Sequence, residues 1–229
     1  MDNNRLSAVV FDLDNTLVSS SLNFNQIRQE IGCASNVDLL EFVDNLPENQ
    51  RYKAEKTLIE HEIADAQNCF KLAGVDQLLA LLSMMNIPTA IITRNCRAAA
   101  LLKINKHVID IPILLTREDH KAKPCPDALL HLAERWQKPA QELLYVGDYL
   151  YDIQTAQNAK AMSCLITYGK QLPYADLADC VVDDLIGLNP INARFVKKYA
   201  NIHKQIKKAV SNYSKEVRKV QFPSKKYSY

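Results

Sequence analysis

The sequence predicts an α/β fold, a parallel sheet covered by helices on both faces, with a small helical insertion. Three observations lead there. Short apolar runs recur along the chain, each followed by a helix-favouring stretch. The runs are continuous rather than alternating, as in strands buried on both faces. One block, about residues 23–70, interrupts the alternation with helical patterns and no strand. Strands alternating with helices imply βαβ units and a parallel sheet.

The elements follow in order. Ser7–Phe11 is a short apolar run ending in a polar turn, hence a first strand. In the next block, Ile27 and Ile31, then Leu39, Leu40 and Val43, fall at helical spacing, broken at Gly32 and near Pro47. Arg51–Phe70 reads as a long helix with Leu58, Ile59, Ile63 and Ala66 on one side. Two or three helices are expected here. Helices are then expected at Val75–Met85, Cys96–Lys103, Asp127–Arg135 and Tyr149–Asn158. The intervening strands are expected at Pro88–Ile92, Ile111–Leu115, Leu143–Val146, Met162–Ile166 and Cys180–Val182. The organisation predicted is a core of residues 1–18 and 75–188, a helical cap of residues 19–74, and a tail of residues 189–229. Ser19, Ser20 and Ser21 stand where a hinge between core and cap would lie.

Composition excludes several classes. Of 229 residues, 48% are hydrophobic and 24% charged, ordinary for a globular chain and unlike a disordered one. No stretch is apolar for about 18 residues, so no membrane span is expected. The first residues lack a basic segment followed by a long apolar core, so no signal peptide is expected. The six cysteines are scattered without a CxxC pair, which fits a reduced cytoplasmic chain better than disulfides or zinc. Glycine-rich dinucleotide and P-loop fingerprints are absent.

The chemistry gathers at strand ends, where parallel sheets bind ligands. After the first strand comes Asp12-Leu-Asp14-Asn15-Thr16; after the second, Thr93-Arg94-Asn95. Lys123-Pro124 precedes the third long helix, and Gly147-Asp148, with Asp152 four residues on, follows the fourth strand. Asp12, Asp14, Asp148 and Asp152 with Lys123 would carry excess negative charge, which a hard divalent cation would neutralise. Cation, ammonium and hydroxyl around a tetrahedral oxyanion are the requirements of phosphoryl transfer. Proline restricts the backbone of Lys123, with Lys121 as the rival. Arg94 and Asn95 either line the phosphate and leaving-group side or merely cap a helix. Asp148 could also serve as a helix N-cap.

These four segments, in this order, resemble the motifs of the haloacid dehalogenase-like hydrolase superfamily over roughly residues 7–185. The inserted helices are similar to the small cap of its phosphoglycolate phosphatase-like branch. The resemblance implies a Rossmann-like core and a phosphatase acting on a small phosphorylated metabolite. It implies Asp12 as nucleophile forming an aspartyl-phosphate, and Asp14 as general acid and base. Thr93 and Lys123 would hold the phosphoryl oxygens. Asp12, Asp148 and the backbone carbonyl of Asp14 would bind Mg2+, with Asp152 a further ligand or an orienting group. An acid at position 14 argues for phosphate rather than carbon–halogen chemistry. A phosphomutase with the same site is the alternative.

The tail differs from the body. From Asn189 to Tyr229 there are eleven Lys/Arg and one acid, and from Tyr199 to Val220 apolar residues recur at alternating steps near three and four. This predicts a basic amphipathic helix. Either it docks on the acidic body, or it meets a protein partner, an anionic membrane or nucleic acid. A regulatory or scaffold protein carried by that tail is the rival from another class.

Overall fold

The computed structural model describes residues 6–188. The expectations for the tail fall outside the described residues. Six parallel strands form one sheet in the order β3-β2-β1-β4-β5-β6. They are β1 (Ala8–Phe11), β2 (Thr89–Ile92), β3 (Leu114–Leu115), β4 (Leu143–Gly147), β5 (Met162–Ile166) and β6 (Cys180–Val182). Every residue of β1, β2, β4 and β5 is buried, which explains the continuous apolar runs in the sequence. On one face, Val10, Ala90, Ile92 and Tyr145 pack with Leu129 and Leu132 of α6 (Asp127–Trp136).

The sequence order reverses between β1 and β4, neighbours in the sheet but far apart in the chain. Their register pairs Phe11 with Val146, and the Asp12 amide donates to the Val146 carbonyl at 2.8 Å. The polar residues after both strands are thereby held side by side at the carboxyl edge. This reversal is where open α/β sheets place their ligands.

Four helices stand between β1 and β2: α1 (Phe24–Ile31), α2 (Leu39–Asp44) and α3 (Glu48–Asn68) form the insertion, and α4 (Val75–Met84) leads back to the sheet. Asn23 and Asp38 cap α1 and α2 with side-chain oxygens, and Gly32 closes α1 in the left-handed region. The two linkers to this insertion run together. The Ser19 amide donates to the Phe70 carbonyl at 2.8 Å, and the Leu72 amide to the Leu17 carbonyl at 3.0 Å. The buried stripe of α3 is Ala54, Leu58, Glu62, Asp65 and Ala66, not the purely apolar one expected; Ile59 is exposed.

Other differences have local causes. The expected strand at 111–115 shortens to two residues. Pro112 has no amide to donate, and the Ile111 amide turns back to the Ile109 carbonyl. Helix α5 (Arg97–His107) runs four residues beyond its expected end at Lys103. A lysine reads as solvated, yet Lys103 is wholly buried. Helices α4 (Val75–Met84) and α7 (Leu150–Asn158) lie within a residue of expectation at each end. Tyr149, not Asp148, takes the N-cap position of α7.

Candidate active site

The strand-end residues meet. Carboxylate oxygens of Asp12, Asp148 and Asp152 lie within 4.8 Å of one another. The Lys123 ammonium donates to Asp12 at 2.5 Å and to Asp152 at 2.7 Å. Lys123 is buried, while the rival Lys121 is exposed. The ring of Tyr145, from the middle of β4, lies 5.7 Å from the Lys123 ammonium, and its hydroxyl donates to the Ile92 carbonyl. Sequence reasoning treated Tyr145 only as strand filling.

The glycine of Gly147-Asp148 is there for a close approach. A Cβ at position 147 would lie 2.2 Å from the Asp152 carboxylate carbon. Glycine alone lets Asp152 press against the strand end, where its other oxygen accepts from the Tyr149 amide at 3.0 Å. Both Asp152 oxygens are thus committed, one to Lys123 and one to the start of α7.

Electrostatics mark this cluster. Burial raises the Asp12 carboxyl to about 6, with Lys123 opposing and Asp152 reinforcing the shift. Burial, then Asp12 and Asp152, raise Asp148 to about 8. Burial would lower Lys123, but Asp12 and Asp152 outweigh it and hold the ammonium well above its ordinary value. Three carboxylates face one ammonium. The shortfall of positive charge is what a divalent cation with hard oxygen ligands relieves, so the donor set fits such an ion.

Asp14 is engaged differently. Its Oδ1 accepts from Lys103 at 2.5 Å and its Oδ2 from the Asn95 amide nitrogen at 2.7 Å. Its carboxylate is not among the three clustered acids. Asn95 also donates to the Thr93 hydroxyl at 2.9 Å, which ties the second strand end to the first. Lys103 was missed by sequence reasoning; its place on the buried side of α5 with Ala99 and Ala100 was the available signal.

Arg94, expected against phosphate, is committed elsewhere. Its Nη2 donates to both Asp38 oxygens at 2.7 Å, and its Nη1 donates to the Lys123 carbonyl. Its guanidinium lies 4.7 Å from the centre of the Tyr151 ring, and the Tyr151 hydroxyl donates to Asp38 at 3.1 Å. Burial would raise Asp38, but the Arg94 hydrogen bonds and charge hold it below its ordinary value. A residue of the helical insertion and two residues near the sheet's carboxyl edge therefore join beside the site. A second tie joins Glu62 of α3 to the Cys96 amide at 3.0 Å and to Arg117 at 2.5 Å.

A cleft of about 360 Å³ opens over these groups. Its floor holds Asp12, Asp14, Thr93, Asn95, Lys123, Asp148 and Asp152, and the helical insertion lines it with Leu22, Phe24, Arg28, Leu39, Leu40 and Leu58. The Arg28 guanidinium donates to the Ala34 and Val37 carbonyls, bracing the α1–α2 loop.

The model of the family described as "Haloacid dehalogenase-like hydrolase" matches residues 9–166. The chain belongs to the haloacid dehalogenase-like hydrolase family. This hydrolase is 28% identical over 174 residues to a haloacid dehalogenase-like hydrolase domain-containing protein of Arabidopsis thaliana, covering 71% of each. It is 28% identical over 149 residues to phosphoglycolate phosphatase of Escherichia coli, covering 62% of this chain and 58% of that enzyme. A hydrolase from Pseudomonas syringae shares the fold, with a TM-score of 0.67, 19% identity, and 82% of this chain and 97% of that one covered. The C-terminal part has a different relative. A ketopantoate hydroxymethyltransferase family model matches residues 173–225. There, 49 residues are 59% identical to 3-methyl-2-oxobutanoate hydroxymethyltransferase of Pelagibacter ubique, covering 21% of this chain and 19% of that enzyme. The basic, amphipathic reading of the tail gave no hint of that similarity.

Proposed function

We propose that this hydrolase is a magnesium-dependent phosphatase of small phosphomonoesters, working through an aspartyl-phosphate on Asp12. The carrying observation is the cluster of Asp12, Asp148 and Asp152 around Lys123 at the sheet's reversal point. Asp12 and Asp148 would hold Mg2+, with the Asp14 carbonyl, and Asp152 would orient Lys123. When bound, the ion would supply charge neutralisation at the phosphoryl oxygens. Lys123 and the Thr93 hydroxyl bind those oxygens. A carboxylate oxygen of Asp12 attacks phosphorus as the ester P–O bond breaks, and Asp14 gives its proton to the departing oxygen. Asp14 then takes a proton from water, which attacks the aspartyl-phosphate, releasing inorganic phosphate and restoring Asp12. The cap, residues 19–74, selects the leaving group from its side of the cleft.

Two further observations support the reading. A relative in this family is a phosphoglycolate phosphatase. Cys33, Cys69, Cys96 and Cys125 carry free thiols, which fits a reducing, cytoplasmic setting. The experiment is a panel of phosphorylated metabolites and aryl phosphates, with Mg2+ or with chelator. Release of inorganic phosphate only with the metal is expected. Inertness of a folded preparation towards every ester contradicts the proposal, and an isomerised sugar phosphate without free phosphate replaces hydrolysis by mutase chemistry.

A further inference from the structure

A buried ammonium costs heavily unless acceptors surround it. Lys103 of α5 is wholly buried, and its ammonium meets three acceptors: Asp14 at 2.5 Å, Asp65 at 2.7 Å and Asn95 Oδ1 at 3.4 Å. Three acceptors match its three protons. Asp65 sits on α3, one turn beyond Glu62. It also accepts from the Ser20 hydroxyl at 3.0 Å, the Ser21 amide at 2.6 Å and the Ser21 hydroxyl at 3.2 Å. One ammonium therefore joins the residue two places after Asp12, the longest cap helix and the chain's entry into the cap.

We infer that Lys103 is a positioning residue for Asp14, holding its carboxylate in register with the cap helix α3. The inference rests on the reading of Asp14 as general acid. Two features separate it from simple structural pairing. Lys103 has a sufficient buried partner in Asp65, yet it also reaches Asp14, whose side chain opens to the cleft. The Asp14 oxygens are fixed by two different donors, Lys103 on one and Asn95 on the other, so its plane as well as its place is set. Closing the cap and placing the acid become one event. Without Lys103, Asp14 keeps a single tether through Asn95 and loses its tie to α3.

A misplaced acid matters in proportion to the leaving group's need for a proton. The test is kcat/KM across a series of phosphate esters, from alkyl alcohols to dinitrophenol, for wild type, Lys103→Met and Lys103→Arg. This ratio reports the steps through departure of the leaving group. In Lys103→Met the alkyl esters are expected to fall about 100-fold, at the lower end of a general acid's contribution. The dinitrophenyl ester should stay within about threefold, and Lys103→Arg should recover much of the alkyl-ester rate. A uniform fall across the series overturns the inference, because misfolding or lost binding ignores leaving-group basicity. Should Lys103→Met not fold, the double variant Lys103→Met/Asp65→Leu removes both buried charges together, and its graded or uniform loss is read in the same way. A wild type inert towards all esters, by contrast, sinks the phosphatase reading itself.

Discussion

Two regions of this hydrolase are built from buried charge, and they handle it in opposite ways. At the sheet's reversal point, Asp12, Asp148 and Asp152 share one ammonium, and two of the three carboxyls are pushed up to about 6 and about 8. Between the inserted helices and the rest of the fold, charges find partners: Asp38 with Arg94, Glu62 with Arg117, Asp65 with Lys103. Asp65, like Asp38, is held below its ordinary value: burial opposes this, but hydrogen bonds from Lys103 and Ser21 prevail. Compensated charge fixes architecture. Uncompensated charge marks the place where a ligand must bring the missing sign.

That contrast can be broken in several places. The largest expected effect is at the nucleophile: Asp12→Asn should cut turnover of an aryl phosphate by about 10⁴-fold or more. Next is Gly147→Ala. Its Cβ displaces Asp152, so Lys123 loses its orienting partner, and kcat should fall about 100-fold. Thermal melts of metal-free protein then compare the two kinds of charge. Glu62→Ala takes the carboxylate from Arg117, which retains the Arg94 carbonyl, leaves the Cys96 amide without its acceptor, and should cost about 3 kcal/mol. At pH 9, where the Asp148 carboxyl is ionised, Asp148→Asn relieves repulsion and should raise the melting midpoint, while removing activity. If both variants destabilise alike, the distinction fails.

A smaller effect is linked to pH. A carboxyl whose folded pKa lies above its unfolded value adds stability at low pH and loses it as pH rises through the folded pKa. Asp12 and Asp148 behave so, and the metal-free protein sheds that stability between about pH 4 and about pH 8. A cation replaces those protons, so the midpoint gained on adding Mg2+ should grow from pH 5 to pH 8. A gain that is flat or falls with pH contradicts the cluster as the binding site. The smallest effect expected is from truncation after residue 188, which should leave kcat/KM for small esters within about twofold, since every described group of the site precedes that point.

How much of this was legible in the sequence follows the same divide. Motif residues stand at strand ends, and strand ends are readable because buried parallel strands are continuous apolar runs; Met162–Ile166 and Cys180–Val182 have the bounds the pattern predicts. Asp12, Asp148 and Asp152 converge because β1 and β4 are neighbours, which motif order implies. The ion pairs were invisible. Glu62, Asp65 and Lys103 occupy buried helix positions where a charged residue ordinarily signals solvent, and only three-dimensional pairing reverses that signal. Arg94 shows the same limit: adjacency to Thr93 put it at the cleft, which it lines, but its partner Asp38, 56 residues away, could not be read from the sequence.

The most direct test of the central claim is rapid-quench mass spectrometry of a single turnover with Mg2+. With dinitrophenyl phosphate, whose leaving group needs no proton, the account predicts a phosphoryl adduct on the peptide carrying Asp12, enriched in Asp14→Asn, where water attack is slowed. Efficient turnover with no adduct in either protein, or an adduct on another residue, would contradict it.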